Sequence, residues 1–262
     1  TCLVISNVDS LIQKRVDFIL NHQQMKGSDR RKDAFMVYDN EKNEIYLNNT
    51  PNCNPVDRDE GAERVGMGVL LAKYYQLHPS SEIKESLLRY TKFLRNRLQE
   101  SDYKTFSSVD RKGRNRAYNY AWVSELYFQM YGITKDKQYA VDGYKTLRSM
   151  FRQFGHGFYA IGIPVRLGLQ MLKTAGMQTE YETLKNDYIR VGDTFVKNGL
   201  NYPASEVNYE QSIVAPSIMF LLQLYQETGI QKYLDEAKRQ MSVLEAFAGN
   251  QPSYHLNEIA IR

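Results

Sequence analysis

The 262-residue sequence has little cysteine, histidine or tryptophan: Cys2 and Cys53, four histidines and one tryptophan. Two thiols encode no disulfide framework, and with no histidine close to either they make no structural zinc site. No stretch reaches the roughly 18 consecutive apolar residues of a membrane-spanning helix. The segment Thr1–Asn7 is mildly apolar, but it lacks a charged leading part and a full apolar run, so it does not read as a signal peptide as it stands. The dinucleotide fingerprint, the phosphate-binding loop, His-Glu-x-x-His and Gly-x-Ser-x-Gly are all missing. No cofactor and no metal are therefore expected. The net charge of +4 is spread along the chain, and the basic residues form no stripe interleaved with stacking aromatics, which argues against nucleic acid as a partner.

What the chain has in abundance is tyrosine and phenylalanine, 20 and 11 of them. Tyrosine joins an apolar face to a polar tip, which suits helix packing first and sugar stacking second. A repeat organises these residues. Four junctions run from an aromatic or Leu through a short polar turn into a new helix, beginning at Tyr75, Tyr131, Leu172 and Tyr225. Gly132, Gly176 and Gly229 are placed where a helix end needs a left-handed residue, and Pro79 stops the first example.

The helices flanking these turns alternate in character. Segments of about 61–77, 117–131, 160–175 and 209–228 are apolar nearly all round, the mark of a buried helix. Segments of about 81–100, 135–153, 178–198 and 231–247 are amphipathic, and a further amphipathic helix spans about 9–25. Buried helices alternating with half-exposed ones describe two concentric layers. The stretch 26–60 interrupts the rhythm, with two short apolar runs around Asp39–Asn43 that predict a small β-hairpin near 35–47.

The connections from outer helix back to inner helix carry nearly all the chemically distinctive residues, and in a toroid they would gather at one rim. Glycoside hydrolysis needs a carboxylic acid and a second carboxylate. Glu206 and Glu210 flank Asn208 and Tyr209 at one inner-helix start, and Asp57, Asp59, Glu60 and Glu63 crowd another. Asn208 with Gln211 also reads as a capping box, and Glu210, Asp59, Glu60 and Glu63 suit the positive end of a helix. Glu206 is required by no cap and leads the catalytic candidates, with Asp59 second and Glu210 beside them.

A basic loop ending in Arg114 and Arg116 is followed by Tyr118, Asn119, Tyr120 and Trp122. Guanidinium forks hold carboxylates, so this set suits a uronate, although Tyr118 and Trp122, four residues apart, equally suit core packing. His156 lies between two glycines and ahead of Phe158 and Tyr159. With Arg166 it forms a Tyr/His/Arg set able to support β-elimination at a uronate, where a charge is neutralised and a proton removed. His255, beside Tyr254 and Glu258, is a weaker case of the same kind.

The two-layer hairpin pattern with decorated inner-helix starts resembles the six-hairpin glycosidase superfamily, an architecture shared by unsaturated glucuronyl hydrolases and relatives of the toroidal polysaccharide lyases. The resemblance covers about residues 9–250 and is one of architecture. No family catalytic motif maps onto these residues, and the His- and Trp-rich cleft of the glucuronyl hydrolases has no counterpart. The resemblance implies an all-α, (α/α)6-type toroid, a carbohydrate-active enzyme, an oligosaccharide or polysaccharide substrate, and a periplasmic or secreted setting. Six hairpins close such a ring, whereas about nine helices and the start of a tenth can be read. The chain is therefore expected to form one domain, 1–262, holding an incomplete toroid. The leading expectation is a glycoside hydrolase working through Glu206 or Asp59, with Arg114, Arg116, Tyr118, Tyr209 and His156 lining the cleft. A polysaccharide lyase using His156 and a tyrosine is the first alternative, and a non-catalytic solenoid that binds protein is the second.

Overall fold

The computed structural model describes residues 7–46, 60–111, 115–159, 161–203 and 211–246. Its fold is all-α, built of helical hairpins of the kind used by (α/α) toroids, with one two-stranded hairpin as its only described sheet. The described helices are α1 (Val8–Phe18), α2 (Val65–Leu77), α3 (Ser81–Phe93), α4 (Ala117–Thr134), α5 (Lys137–Phe154), α6 (Val165–Thr174), α7 (Gln178–Asn198), α8 (Gln211–Thr228) and α9 (Gln231–Ala246). Two compact units divide inside α5, between Thr146 and Leu147.

In the first unit, α1 starts on Asn7, whose side-chain oxygen accepts the Asp9 N–H at 2.8 Å and satisfies one of the free donors of the first turn. The strands β1 (Tyr38–Asp39) and β2 (Glu44–Ile45) pair antiparallel, as the two apolar runs predict. The segment before them is anchored on α3. Gln24 donates to the Ser86 carbonyl at 3.1 Å and accepts from the Ser86 hydroxyl at 2.9 Å, while the Phe35 and Tyr90 rings lie 4.2 Å apart. α2 packs against α3 and α4. Residues on every side of α4, among them Tyr120, Val123, Leu126, Tyr127 and Phe128, are fully buried or nearly so, as a helix apolar all round requires.

In the second unit, α6 pairs with α7 and α8 with α9, and α8 also packs on α6 and α7. Two expectations need correcting. α6 begins at Val165 instead of near 160 and is amphipathic. Val165, Leu169 and Leu172 are buried, whereas Arg166 and Lys173 are exposed. Pro164 sets this start, since the missing N–H is harmless just before a first turn. Gly132 does not cap α4. The helix runs on to Thr134, carrying Ile133 against the core, and Lys135 takes the left-handed conformation at φ 61°. Gly176 and Gly229 do adopt it, at φ 67° and 69°.

Candidate functional site

In the first unit, the loop that returns from α3 to α4 is fixed from below by Gln99. Its amide donates to the hydroxyls of Thr105 and Thr146 at 2.9 and 3.0 Å, and its oxygen accepts from Tyr127 at 2.8 Å. A buried amide with all three partners is rigid, and it holds the loop where α4 begins. Glu60 is almost fully buried, and one of its oxygens accepts the Val109 N–H at 2.9 Å. Asn119 is fully buried on the first turn of α4 and donates to the Ser107 hydroxyl at 2.7 Å. Arg116 is paired with Glu63, which also lies 3.6 Å from Arg64.

Several atoms here have no hydrogen-bond partner among the described residues: the second Glu60 oxygen, Asn119 Oδ1, the Nε atoms of Arg64 and Arg116, and the Tyr90 hydroxyl. Burial pushes the Tyr90 phenol well above its ordinary pKa, against a smaller opposing pull from the Arg64 charge. Tyr118 and Trp122 stack at 6.1 Å and 21°, both half-buried, with Trp122 resting on the core. That arrangement fits packing better than an open sugar platform.

In the second unit, α5 ends at Phe154 and Gly155 turns the chain at φ 70°. His156 follows at once and lies flat on Phe151, with ring centroids 5.0 Å apart and planes 9° from parallel. Its Nε2 is 2.9 Å from one carboxylate oxygen of Asp187 on α7, and the other oxygen of Asp187 is bound by Arg148 on α5. The Asp187 side chain is 4% exposed, against 25% for His156 and 34% for Arg148. The carboxylate is thus the enclosed member and the imidazole the accessible one. Nδ1 of His156 has no hydrogen-bond partner among the described residues. A carboxylate that orients an imidazole while its other nitrogen stays free is the arrangement a proton-transfer group needs.

Tyr159, from the same loop, is packed as a core side chain. Its ring stacks on Phe195 at 4.1 Å and meets Tyr202 edge-on, and its hydroxyl accepts from Asn198 at 3.3 Å. Arg166 does not join His156. Its guanidinium donates to Glu227 at 3.2 Å, and Arg148 supplies the cation beside the histidine's carboxylate instead. Asp187 and Arg148 are the residues that sequence reasoning missed. Asp187 left a signal, because it falls on the buried stripe Leu184–Tyr188–Val191–Phe195 of α7, where a carboxylate needs a reason.

Of the other sequence candidates, Asp57, Asp59, Arg114, Glu206, Asn208, Tyr209, Glu210 and His255 lie outside the described residues. Among the described residues no cluster of three or more His, Cys, Asp or Glu could hold a metal ion, and no helix is long and apolar enough to cross a membrane. A groove of about 580 Å³ lies between α1 and α2, where Ile12, Leu70, Tyr74 and Leu77 make its lining mostly apolar, with Asp9, Lys14, Lys73 and His78 also lining it.

A helical-hairpin array with loaded loops between outer and inner helices defines a class of scaffold more than an activity. No protein-family model matches the chain, and no curated protein does. Among solved structures, a polysaccharide lyase matches with 71% sequence identity and a TM-score of 0.93 over 97% of this chain. The chain spans 38% of that lyase's length.

Proposed function

We propose that this chain is part of a polysaccharide lyase that cleaves a uronate-containing chain by β-elimination, with His156 moving a proton. The observation that carries the reading is the 71% identity to a polysaccharide lyase across nearly the whole of this chain. Elimination removes the proton next to the uronate carboxylate, breaks the C4–O bond and leaves a C4–C5 double bond. It needs a base with a free lone pair and a donor for the leaving oxygen. His156, accessible and held through Nε2, supports the first requirement. The hydrolase reading rested on Glu206 and Asp59, and nothing in the geometry or the comparisons adds to it.

The test incubates the protein that carries this chain with polyuronates and uronate-containing glycans while ultraviolet absorbance is followed. A rising absorbance from the new conjugated double bond is expected, and His156→Ala should lower kcat/KM by about 10²- to 10⁴-fold, the usual range for a general acid or base. Saturated reducing ends released without absorbance would return the reaction to hydrolysis.

A further inference from the structure

We propose that Asp187, gripped by Arg148, is a positioning residue that dictates which nitrogen of His156 carries the proton. The argument begins with what each group can do. A carboxylate only accepts, so the 2.9 Å contact with His156 requires Nε2 to be the donor and leaves the lone pair on Nδ1. Phe151, flat beneath the ring, hinders rotation out of that plane. Arg148 occupies the other Asp187 oxygen, so the carboxylate cannot swing away without breaking that ion pair, and the Asp187 side chain is almost wholly enclosed. Two helices and one loop thus converge on a single protonation state of one imidazole. Resting on the lyase reading, Nδ1 is the atom that receives the substrate proton, and Asp187 steadies the imidazolium that results.

Arg148 makes the proposal testable in an unusual way. In Asp187→Asn the guanidinium still demands an acceptor, so the amide oxygen turns to Arg148 and the amide N–H₂ turns to His156. Nε2 must then accept, and the proton is driven to Nδ1, where it blocks the lone pair. Removing the cation as well, in Asp187→Asn/Arg148→Met, frees the amide to present its oxygen to His156 and restores the original tautomer. A merely structural role predicts the opposite order, with the double variant worse than the single one.

The experiment reads the tautomer by ¹⁵N NMR of histidine-labelled protein and, separately, the kinetics of elimination. Expected are Nε2–H in the native protein, Nδ1–H in Asp187→Asn with kcat down by about 10³-fold or more and KM within about threefold, and recovery of Nε2–H with at least about tenfold of the kcat in the double variant. An Asp187→Asn protein that keeps Nε2–H, or a double variant no faster than the single one, overturns the proposal. The NMR spectrum also reports whether each variant is folded. If the tautomer moves as expected while the native protein releases no unsaturated product, the lyase reading falls and the positioning role stands.

Discussion

Asp187 and Tyr188 are neighbours in the chain and opposites in bonding. Asp187 has a partner on each oxygen, whereas the Tyr188 hydroxyl, on a fully buried side chain, has none among the described residues. An unanswered buried hydroxyl costs about 1–3 kcal/mol, and a phenyl ring of nearly the same shape does not carry that cost. Tyr188→Phe is therefore expected to leave thermal stability unchanged or raise it. The ring's edge-on contacts with Phe151 and Phe220 remain in place. A loss above about 1 kcal/mol in denaturant titration would show that the hydroxyl is bonded after all. The same pair shows what a sequence discloses at this scale. His156 stood out because two glycines and two aromatics surround it. Asp187 did not, since one acid on an amphipathic helix looks like solvent-facing charge until its place on the buried stripe is counted. Arg148, on the neighbouring helix, had no local mark at all, because its role depends on a carboxylate 39 positions away.

At the scale of elements most of the fold was legible. The spacing of apolar residues located α7 at 178–198 and α9 at 231–247, and the structure has them at Gln178–Asn198 and Gln231–Ala246. Periodicity fails where a helix is short and its start is set by backbone chemistry, as at Pro164 before α6. It also fails where a glycine tolerates helix, as Gly132 does once Ile133 finds the core. The close approach of helices is invisible in periodicity. A methyl group built on Gly192 of α7 would meet Leu224 of α8 at 2.4 Å and Tyr233 of α9 at 2.9 Å. Leu224 can shift, but the Tyr233 ring is buried and its hydroxyl is tied to Asp193 at 2.8 Å. Gly192→Ala should thus cost about 1–2 kcal/mol, overpacking outweighing the helix-propensity gain. Gly66→Ala on α2, with nothing within 4 Å of the added methyl, should instead gain up to about 1 kcal/mol. Equal effects at the two positions in thermal melts would contradict the packing assigned to α7, α8 and α9.

At the scale of the whole molecule, the abundant tyrosines become a common liability at high pH. Burial raises the phenols of Tyr90, Tyr127 and Tyr188 well above their ordinary value and pushes Tyr103 up to about 12, with its hydrogen bond to Asp142 adding to the shift. The sign follows from proton counting. Above about pH 10 an unfolded phenol releases its proton while the folded one keeps it, so the native state holds more protons and stability falls as pH rises. The contribution is fully present below pH 10 and is lost on the way to the folded pKa. Each fully buried phenol adds a slope of up to about 1.4 kcal/mol per pH unit, and several act together. Lysine side chains as a class lose charge in the same range, so a falling curve alone does not identify the phenols. Tyr188→Phe separates them. It removes one titrating phenol and no lysine contact, so its stability should fall less steeply than that of the native protein between about pH 10 and 11, by up to the slope of one proton, with the two slopes equal near pH 8. Parallel curves from urea titrations across that range would mean that Tyr188 ionises within the folded protein, and would refute its burial as an unpartnered hydroxyl.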